Sequence, residues 1–505
     1  MTEPFRNPDI DWAALAPVLT LMGTSAFVLL AGVFVPRSGR RAFAATFAAL
    51  GLIAGGILAG ILFVQDDAAS LTLRESLVRD RLAEAAQVLV CTTGLLAVLV
   101  LWWERRAPRD EGRDVPADEP ERAAELYALL LAAVGGMAFF VQANNLMALF
   151  LGLEWFSIAL YVLTAIAVNR LGSLEAGLKY LIVGSFGSAI LLFGSALVYG
   201  ATGELEFRAI AEAAGDAERS LFVAGLAMIL VGLAFKVSAA PFHMWTPDVY
   251  QGAPTPVTAF MSAATKVAAL VVTLRLLTSA FPGDEELWTW ALAAIACVSL
   301  AWGNLAALVQ SDVKRLLAYS SVSHAGFLLI PVAAGNELGG RALVYYLVAY
   351  AAMSVGSFAI VAARERELGR AVTMANLAGF GWERPFHGIA MAVFMFGFIG
   401  LPPAGLFLGK FYAFAAAFER GWTWLVIVGV VATVVSIYYY LGIVAAMYMR
   451  PAEARLVPAG GSPPRDGPLT TAVGLCLVVA IGSLVAADPL IDVARDAVAS
   501  LEFPR

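Results

Sequence analysis

Fourteen long apolar runs dominate this chain, each about as long as or longer than the roughly 20 residues a helix needs to cross a bilayer. Three fall near 13–35, 42–65 and 83–103. Five follow at 124–142, 145–168, 174–200, 221–245 and 254–281. Five more lie at 287–309, 313–335, 341–363, 386–418 and 422–449, and one at 469–487. In lipid every backbone amide must be satisfied within the protein, which leaves only helices or closed barrels. Barrel strands alternate over about ten residues, and these runs are too long and too uniform for that. The expected fold is an all-α polytopic membrane protein of about 14 transmembrane helices. Composition agrees: 60% of the residues are hydrophobic and 14% charged, against about 25% charged in a soluble domain.

The net charge of −6 carries no nucleic-acid signal, because the charges sit in loops that need only stay wet. Cys91, Cys297 and Cys476 lie far apart in apolar runs. They offer no disulfide framework, no metal-ligand spacing and no iron–sulfur motif, so no cofactor or metal is expected in this chain. Ahead of the first run stand Glu3, Asp9, Asp11 and a single Arg6, without a small-residue cleavage site; that span is expected to be retained.

Four parts are expected: 1–122, three spans and a charged loop; 123–281, five spans; 282–449, five spans; and 450–505, a loop, one span and a short tail. The loop at 104–122, ERRAPRDEGRDVPADEPER, is the longest polar interruption. Alternate loops on one side hold 18 Lys and Arg, whereas the other loops and both tails hold ten. The positive-inside rule then places both termini on the non-cytoplasmic side.

The cations divide unevenly. Of 33 Lys and Arg only five are lysines: Lys179, Lys236, Lys266, Lys314 and Lys410. The arginines lie in loops, tails and span edges, Arg275 excepted. Four lysines lie inside spans, while Lys314 sits at a span edge beside Arg315 and reads as an interfacial anchor. A guanidinium stays protonated almost anywhere; a buried ammonium gives up its proton readily and regains it beside a carboxylate. A lysine at mid-bilayer costs about 2.5–3.5 kcal/mol on insertion scales. Snorkelling or helix gluing is the bland alternative, strongest for Lys179, five residues into its span. Glu154 is the one carboxylate well inside a span and needs a cationic partner. Glu175 stands four residues before Lys179, on the same helix face.

Prolines interrupt two spans. In GLAFKVSAAPFHMW, Pro241 lacks an N–H and clashes with the carbonyl four residues back. A break at membrane depth is tolerated where it lines a wet cavity. Lys236, the break and His243 therefore read as one small polar, proton-handling site. His324, in SSVSHAGFLL, lies mid-span and suits a relay. A second break is expected at Pro402 and Pro403, just before Lys410. Each break falls in the fourth span of a five-span block, which points to two inverted repeats with paired broken helices at the ion site.

At these residues the chain resembles a known family. EAGLKYLIVGSFGSAILLFGSALVYGATG, AFKVSAAPFHMWTPDVYQGAPTPVTAFMSAATK and GLPPAGLFLGKFYAF are similar to the antiporter-like membrane subunits of proton-pumping NADH–quinone oxidoreductase, respiratory complex I. The likeness runs from about residue 10 to 490. Lys410, where one sibling branch has a glutamate, and a tail too short for the lateral helix of another narrow the branch, as does VYQGAPTPV. The resemblance implies that Glu154 pairs with Lys236, that Lys266 is the central link, and that Lys410 gates the exit or the next site. It places Lys179, His243 and His324 on the same axis. It further implies a bacterial inner membrane and partners in the other membrane-arm subunits, including a sibling antiporter-like subunit. FMN, iron–sulfur clusters, NADH and quinone would be handled elsewhere in that complex, with no redox chemistry here. The loop at 104–122 departs from a compact member of the family and reads as a local contact with a neighbour. A multisubunit Na+/H+ antiporter or a membrane-bound hydrogenase shares the fold and stays open as an alternative. A solute carrier would need substrate-reading groups that are missing here, and a passive scaffold would not keep these lysines.

Overall fold

Asp11 starts the first span: its carboxylate accepts from the amides of Ala13 and Ala14, satisfying donors a helix start leaves bare. The computed structural model describes residues 10–65, 69–102, 122–451, 466–501 and 503. Apart from Arg122, the loop at 104–122 lies outside the described residues. The N-terminal part comprises α1 (Trp12–Phe34), α2 (Arg37–Gln65), a small hairpin of β1 (Ser70–Thr72) and β2 (Leu77–Arg79), and α3 (Arg81–Leu101), capped by Asp80. Next come α4 (Ala123–Phe140), α5 (Leu146–Thr164), α6 (Leu171–Thr202), α7 (Phe207–Ala213), α8 (Arg219–Val237), α9 (Thr246–Gly252) and α10 (Thr255–Ala280). The chain continues through α11 (Glu285–Leu308), α12 (Val313–Ala334), α13 (Glu337–Leu368), α14 (Phe380–Glu383), α15 (Pro385–Ile399), α16 (Leu406–Glu419) and α17 (Thr423–Met449). It closes with α18 (Gly467–Val485) and α19 (Ala487–Val498).

Among the described residues 13 helices are long and apolar enough to cross a membrane. Two of the fourteen runs read from the sequence are not single helices. The run at 221–245 stops being helical at Val237, where Ser238 turns left-handed at φ +67°. The run at 386–418 divides between α15 and α16, and Gly400 ends α15 at φ +93°. Both interruptions therefore begin two or three residues before the prolines that signalled them.

Burial separates centre from rim. The most apolar window of α10 is 100% buried and that of α12 94%, against 33% for α1, α2, α17 and α18. Side chains on α10 and α12 thus face protein on all sides, which matters for the polar ones among them. Small residues let neighbouring helices approach closely in lipid, where no hydrophobic effect drives them together. On α11, a Cβ at Gly303 would lie 2.5 Å from the backbone nitrogen of Ser323 on α12. Gly303→Ala is expected to cost about 1–3 kcal/mol through overpacking, read as a lower thermal midpoint of the detergent-solubilised protein. An unchanged midpoint would show that the helices can part.

Polar bonds stitch the two ends of the bundle. At one end Asp11 pairs with Arg79 at 3.2 Å, the Val78 amide reaches Gln142 O at 2.8 Å, and Asn144 reaches Glu206 at 2.9 Å. At the other end Arg366 joins Asp466 and donates to Val100 O at 2.7 Å. Helix α19 lies against α3 and α13 at the hairpin end, burying Ala494, Ala497 and Val498.

Candidate functional site

Helix α8 carries Lys236 in its last turn, 2% exposed. Its amine turns to α5 and donates to Ser157 Oγ at 2.7 Å. Ser157 in turn donates to Leu153 O. The rings of Phe235, Phe156 and Tyr161 surround the amine with centroids 5.6–5.7 Å away, a cation–π distance. Glu154 stands one turn before Ser157 on the same helix, its Oε1 buried without a hydrogen-bond partner among the described residues. The expected Glu154–Lys236 pair is thus not a direct contact; the serine hydroxyl occupies the place nearest the amine.

The break is closed locally. Ser238 N bonds Phe235 O at 3.1 Å, and Trp245 Nε1 reaches the same carbonyl at 3.2 Å. Ser299 Oγ on α11 accepts from the Ala240 amide at 2.8 Å. His243 is 8% exposed, with its ring against Trp302 and Tyr319 and its Nδ1 without a hydrogen-bond partner among the described residues. No hydrogen bond among the described residues joins His243 to Lys236, so the break does not gather them into one bonded group. The helix ends because Ser238 turns left-handed, and Pro241 lies beyond that point.

Lys266, in the middle of α10, is 0% exposed, and its amine has no hydrogen-bond partner among the described residues. Around the next two helices hydroxyls are dense. Ser262 Oγ meets Ser354 Oγ at 2.7 Å, and Ser321 Oγ meets Tyr350 OH at 3.0 Å. His324 on α12 is 1% exposed, with Nδ1 2.8 Å from Tyr346 OH and Nε2 3.0 Å from Tyr440 OH. Tyr440 OH also bonds Ser320 Oγ. Beside them Ser320, Ser321, Tyr350, Ser354 and Ser357 line a cavity of about 10 Å³, the size of roughly one water.

Lys410 on α16 is 4% exposed and reaches back across the second break. It donates to Phe398 O at 2.9 Å and Ile399 O at 3.0 Å, carbonyls that the end of α15 leaves without helical partners. The amine also lies 3.9 Å from the ring centroid of Phe327, one turn beyond His324. Pro402 and Pro403 follow Gly400 in the link. Without a Cβ, Gly400 leaves room for the lysine stem, whose Cδ would be 2.9 Å from one.

Two lysines sit otherwise than the sequence suggested. The side chain of Lys179 is 45% exposed, and its amine pairs with Glu175 at 2.7 Å and Asp248 at 3.0 Å. It stands outside the buried row, on a partly exposed face of α6 turned to Asp248 on α9. Burial would raise the Asp248 carboxyl, but Arg315 and Lys179 more than offset this and hold it below the ordinary carboxylate range. Lys314 is not an interfacial anchor: its side chain is 3% exposed, donates to Ala253 O at 2.7 Å and lies 3.9 Å from Glu365. Sequence reading passed over Ser157, Tyr346, Tyr350 and Tyr440. Tyr346 and Tyr350 showed only in VYYLVAY, Ser157 in FSIALY and Tyr440 in SIYYYL, hydroxyls that are a weak signal in any span.

The chain is similar to known proteins over most of its length. The family described as NADH:quinone oxidoreductase/Mrp antiporter, TM matches residues 143–436. NADH-quinone oxidoreductase subunit N of Salinibacter ruber is 46% identical over 333 residues, covering 65% of this chain and 66% of its own. Subunit N of Parvibaculum lavamentivorans is 39% identical over 490 residues, 97% of each chain. Among solved structures, a chain of respiratory complex I from Thermus thermophilus superposes with a TM-score of 0.77 at 32% identity, covering 95% of this chain and 99% of that one. A chain of the Mrp complex from a Dietzia species shares the fold, with a TM-score of 0.82 at 19% identity over 97% and 98% of the two chains. The chain belongs to the NADH:quinone oxidoreductase/Mrp antiporter family of membrane subunits, in its subunit N branch.

Proposed function

We propose that this chain is a membrane-arm subunit of NADH–quinone oxidoreductase that moves protons along Glu154, Lys236, Lys266, His324 and Lys410, driven by electron transfer in partner subunits. One observation carries the reading. Lys236, Lys266, His324 and Lys410 are each no more than 4% exposed, on helices packed in succession, α8 on α10, α10 on α12 and α12 on α16. Amines so placed are costly and by default mark ion or proton pathways, and the hydroxyls of Ser157, Tyr346 and Tyr440 supply partners to Lys236 and His324. Lys179 and His243 then act at the edge of the row, Lys179 through its carboxylates. FMN, iron–sulfur clusters, NADH and quinone belong to partner subunits, and a sibling antiporter-like subunit is among the neighbours.

The two five-helix blocks, 123–281 and 282–449, are inverted copies in this reading. Supporting this, the interruptions at Ser238 and Gly400 fall at matching places, and each has a lysine at the break. The termini face away from the cytoplasm of a bacterial inner membrane, as the arginine distribution supports.

Lys410→Arg tests the row. Arginine keeps donors for the Phe398 and Ile399 carbonyls but holds its proton permanently. The variant complex is expected to assemble, reduce quinone and lose most of its proton pumping in proteoliposomes. Full pumping would reduce Lys410 to a cap on α15. Copurification with flavin- and iron–sulfur-bearing subunits separates this reading from the Na+/H+ antiporter built on the same fold.

A further inference from the structure

The row leaves unused the charge buried at the hairpin end of α10. There Arg275 donates to Asp80 at 2.6 and 2.7 Å, with both side chains no more than 4% exposed. Ser500 Oγ and the Ala83 amide also donate to Asp80, at 3.1 and 2.9 Å. Asp80 is fully engaged. Glu84, one turn further along α3, is not: its side chain is 1% exposed and neither carboxylate oxygen has a hydrogen-bond partner among the described residues. Its nearest cation is Arg79, with Nε 3.5 Å from Oε1. Gln87, 0% exposed, donates from Nε2 to Ala138 O at 3.0 Å, and its Oε1 has no hydrogen-bond partner among the described residues.

Asp80, Glu84 and Gln87 follow the i, i+4, i+7 spacing of one helix face, on a helix packed against α4 and α10. Helices α3 and α10 run in opposite directions and meet at the Asp80–Arg275 pair. At about 1.5 Å per residue, Gln87 lies about 10 Å, and Lys266 about 13 Å, inward of that pair. A stripe with two buried groups short of hydrogen-bond partners among the described residues therefore descends nearly to the depth of Lys266, whose amine has none there either.

We propose that Glu84 is a proton-accepting site linking Lys266 to the face of the membrane that carries the hairpin and α19. A proton leaves the Lys266 ammonium, passes by a water held at Gln87 Oε1, and converts the Glu84 carboxylate to the acid. The amine left neutral is reprotonated from the row, and the acid releases its proton past Arg79 to bulk water. Arg79, Arg81, Asp80, Arg275 and Asp11 are the charged groups around this outlet, and the paired ones hold its shape without titrating. In the proposed orientation this is the release side.

The inference rests on the proton-translocating reading, so Lys236→Met is measured beside it. In proteoliposomes of the intact complex, Glu84→Gln is expected to lower the protons moved per electron pair while electron transfer continues, with Glu84→Asp restoring the ratio. Infrared difference spectra are expected to lose a protonated-carboxyl band in Glu84→Gln. Gln87→Leu, which changes no charge, is expected to lower the same ratio, and it serves as the test if Glu84→Gln fails to assemble. A normal ratio in Glu84→Gln, or in Gln87→Leu, with pumping lost in Lys236→Met overturns the outlet alone. Normal ratios in all three overturn the pump itself.

Discussion

A complex carrying Lys236→Met is expected to assemble, to oxidise NADH with quinone, and to lose most of the proton transport that this subunit supports. Methionine fills nearly the same length among Phe156, Tyr161 and Phe235 and removes the amine that donates to Ser157. It also relieves the cost of a buried amine, so lost transport would not reflect lost stability. Glu154→Gln is expected to act in the same direction, because it neutralises the carboxylate one turn from Ser157. The measurement is the ratio of protons moved to electrons transferred, with assembly checked on native gels. Wild-type ratios in both variants would strip these residues of their proposed roles.

Arg275→Leu is expected to give the largest loss of stability. Removing one partner of a buried pair leaves an uncompensated charge and costs about 3–5 kcal/mol. Here the orphan would be Asp80, which also caps α3 and binds Ser500 beyond α19. Asp80→Asn with Arg275→Leu is expected to recover most of the loss, since asparagine still caps the helix and no charge remains buried. The check is the thermal midpoint of the solubilised complex. Equal midpoints for the single and double variants would sink the idea that the stranded carboxylate is the penalty. Burial alone would raise the Asp80 carboxyl, but Arg275 and the other donors hold it below its usual range. That contribution to stability is complete above the unfolded value of about 3.9. It is lost as pH falls through the lower folded value, and wild type and double variant should then converge.

The long apolar runs could be read directly, because a bilayer imposes a minimum length and forbids unpaired amides whatever the neighbours are. The unusual cost of amines in such runs likewise singled out Lys236, Lys266 and Lys410, and all three are buried. What could not be read was which way each side chain turns. Lipid and protein interior are both apolar, so a span shows little difference between its inward and outward faces. Lys179 therefore looked like a member of the row but pairs with Glu175 and Asp248 on an open face, while Lys314 looked like an anchor but is enclosed. Arg275 stood out as the one arginine within a span, yet its partner lies 195 residues away in the chain. The stop at Ser238, ahead of Pro241, depends on a left-handed residue that any helix-forming stretch can hide.

Length and composition thus suffice for a many-helix membrane protein with titratable groups held inside it. Packing between helices distant in sequence settles the rest: that Ser157 accepts from the Lys236 amine, that tyrosine hydroxyls surround His324, and that Glu84 is sealed beside a satisfied Asp80. The reason is that solvation by lipid acts on each residue alone, whereas hydrogen bonds and ion pairs need two groups to meet, and only the folded bundle brings them together.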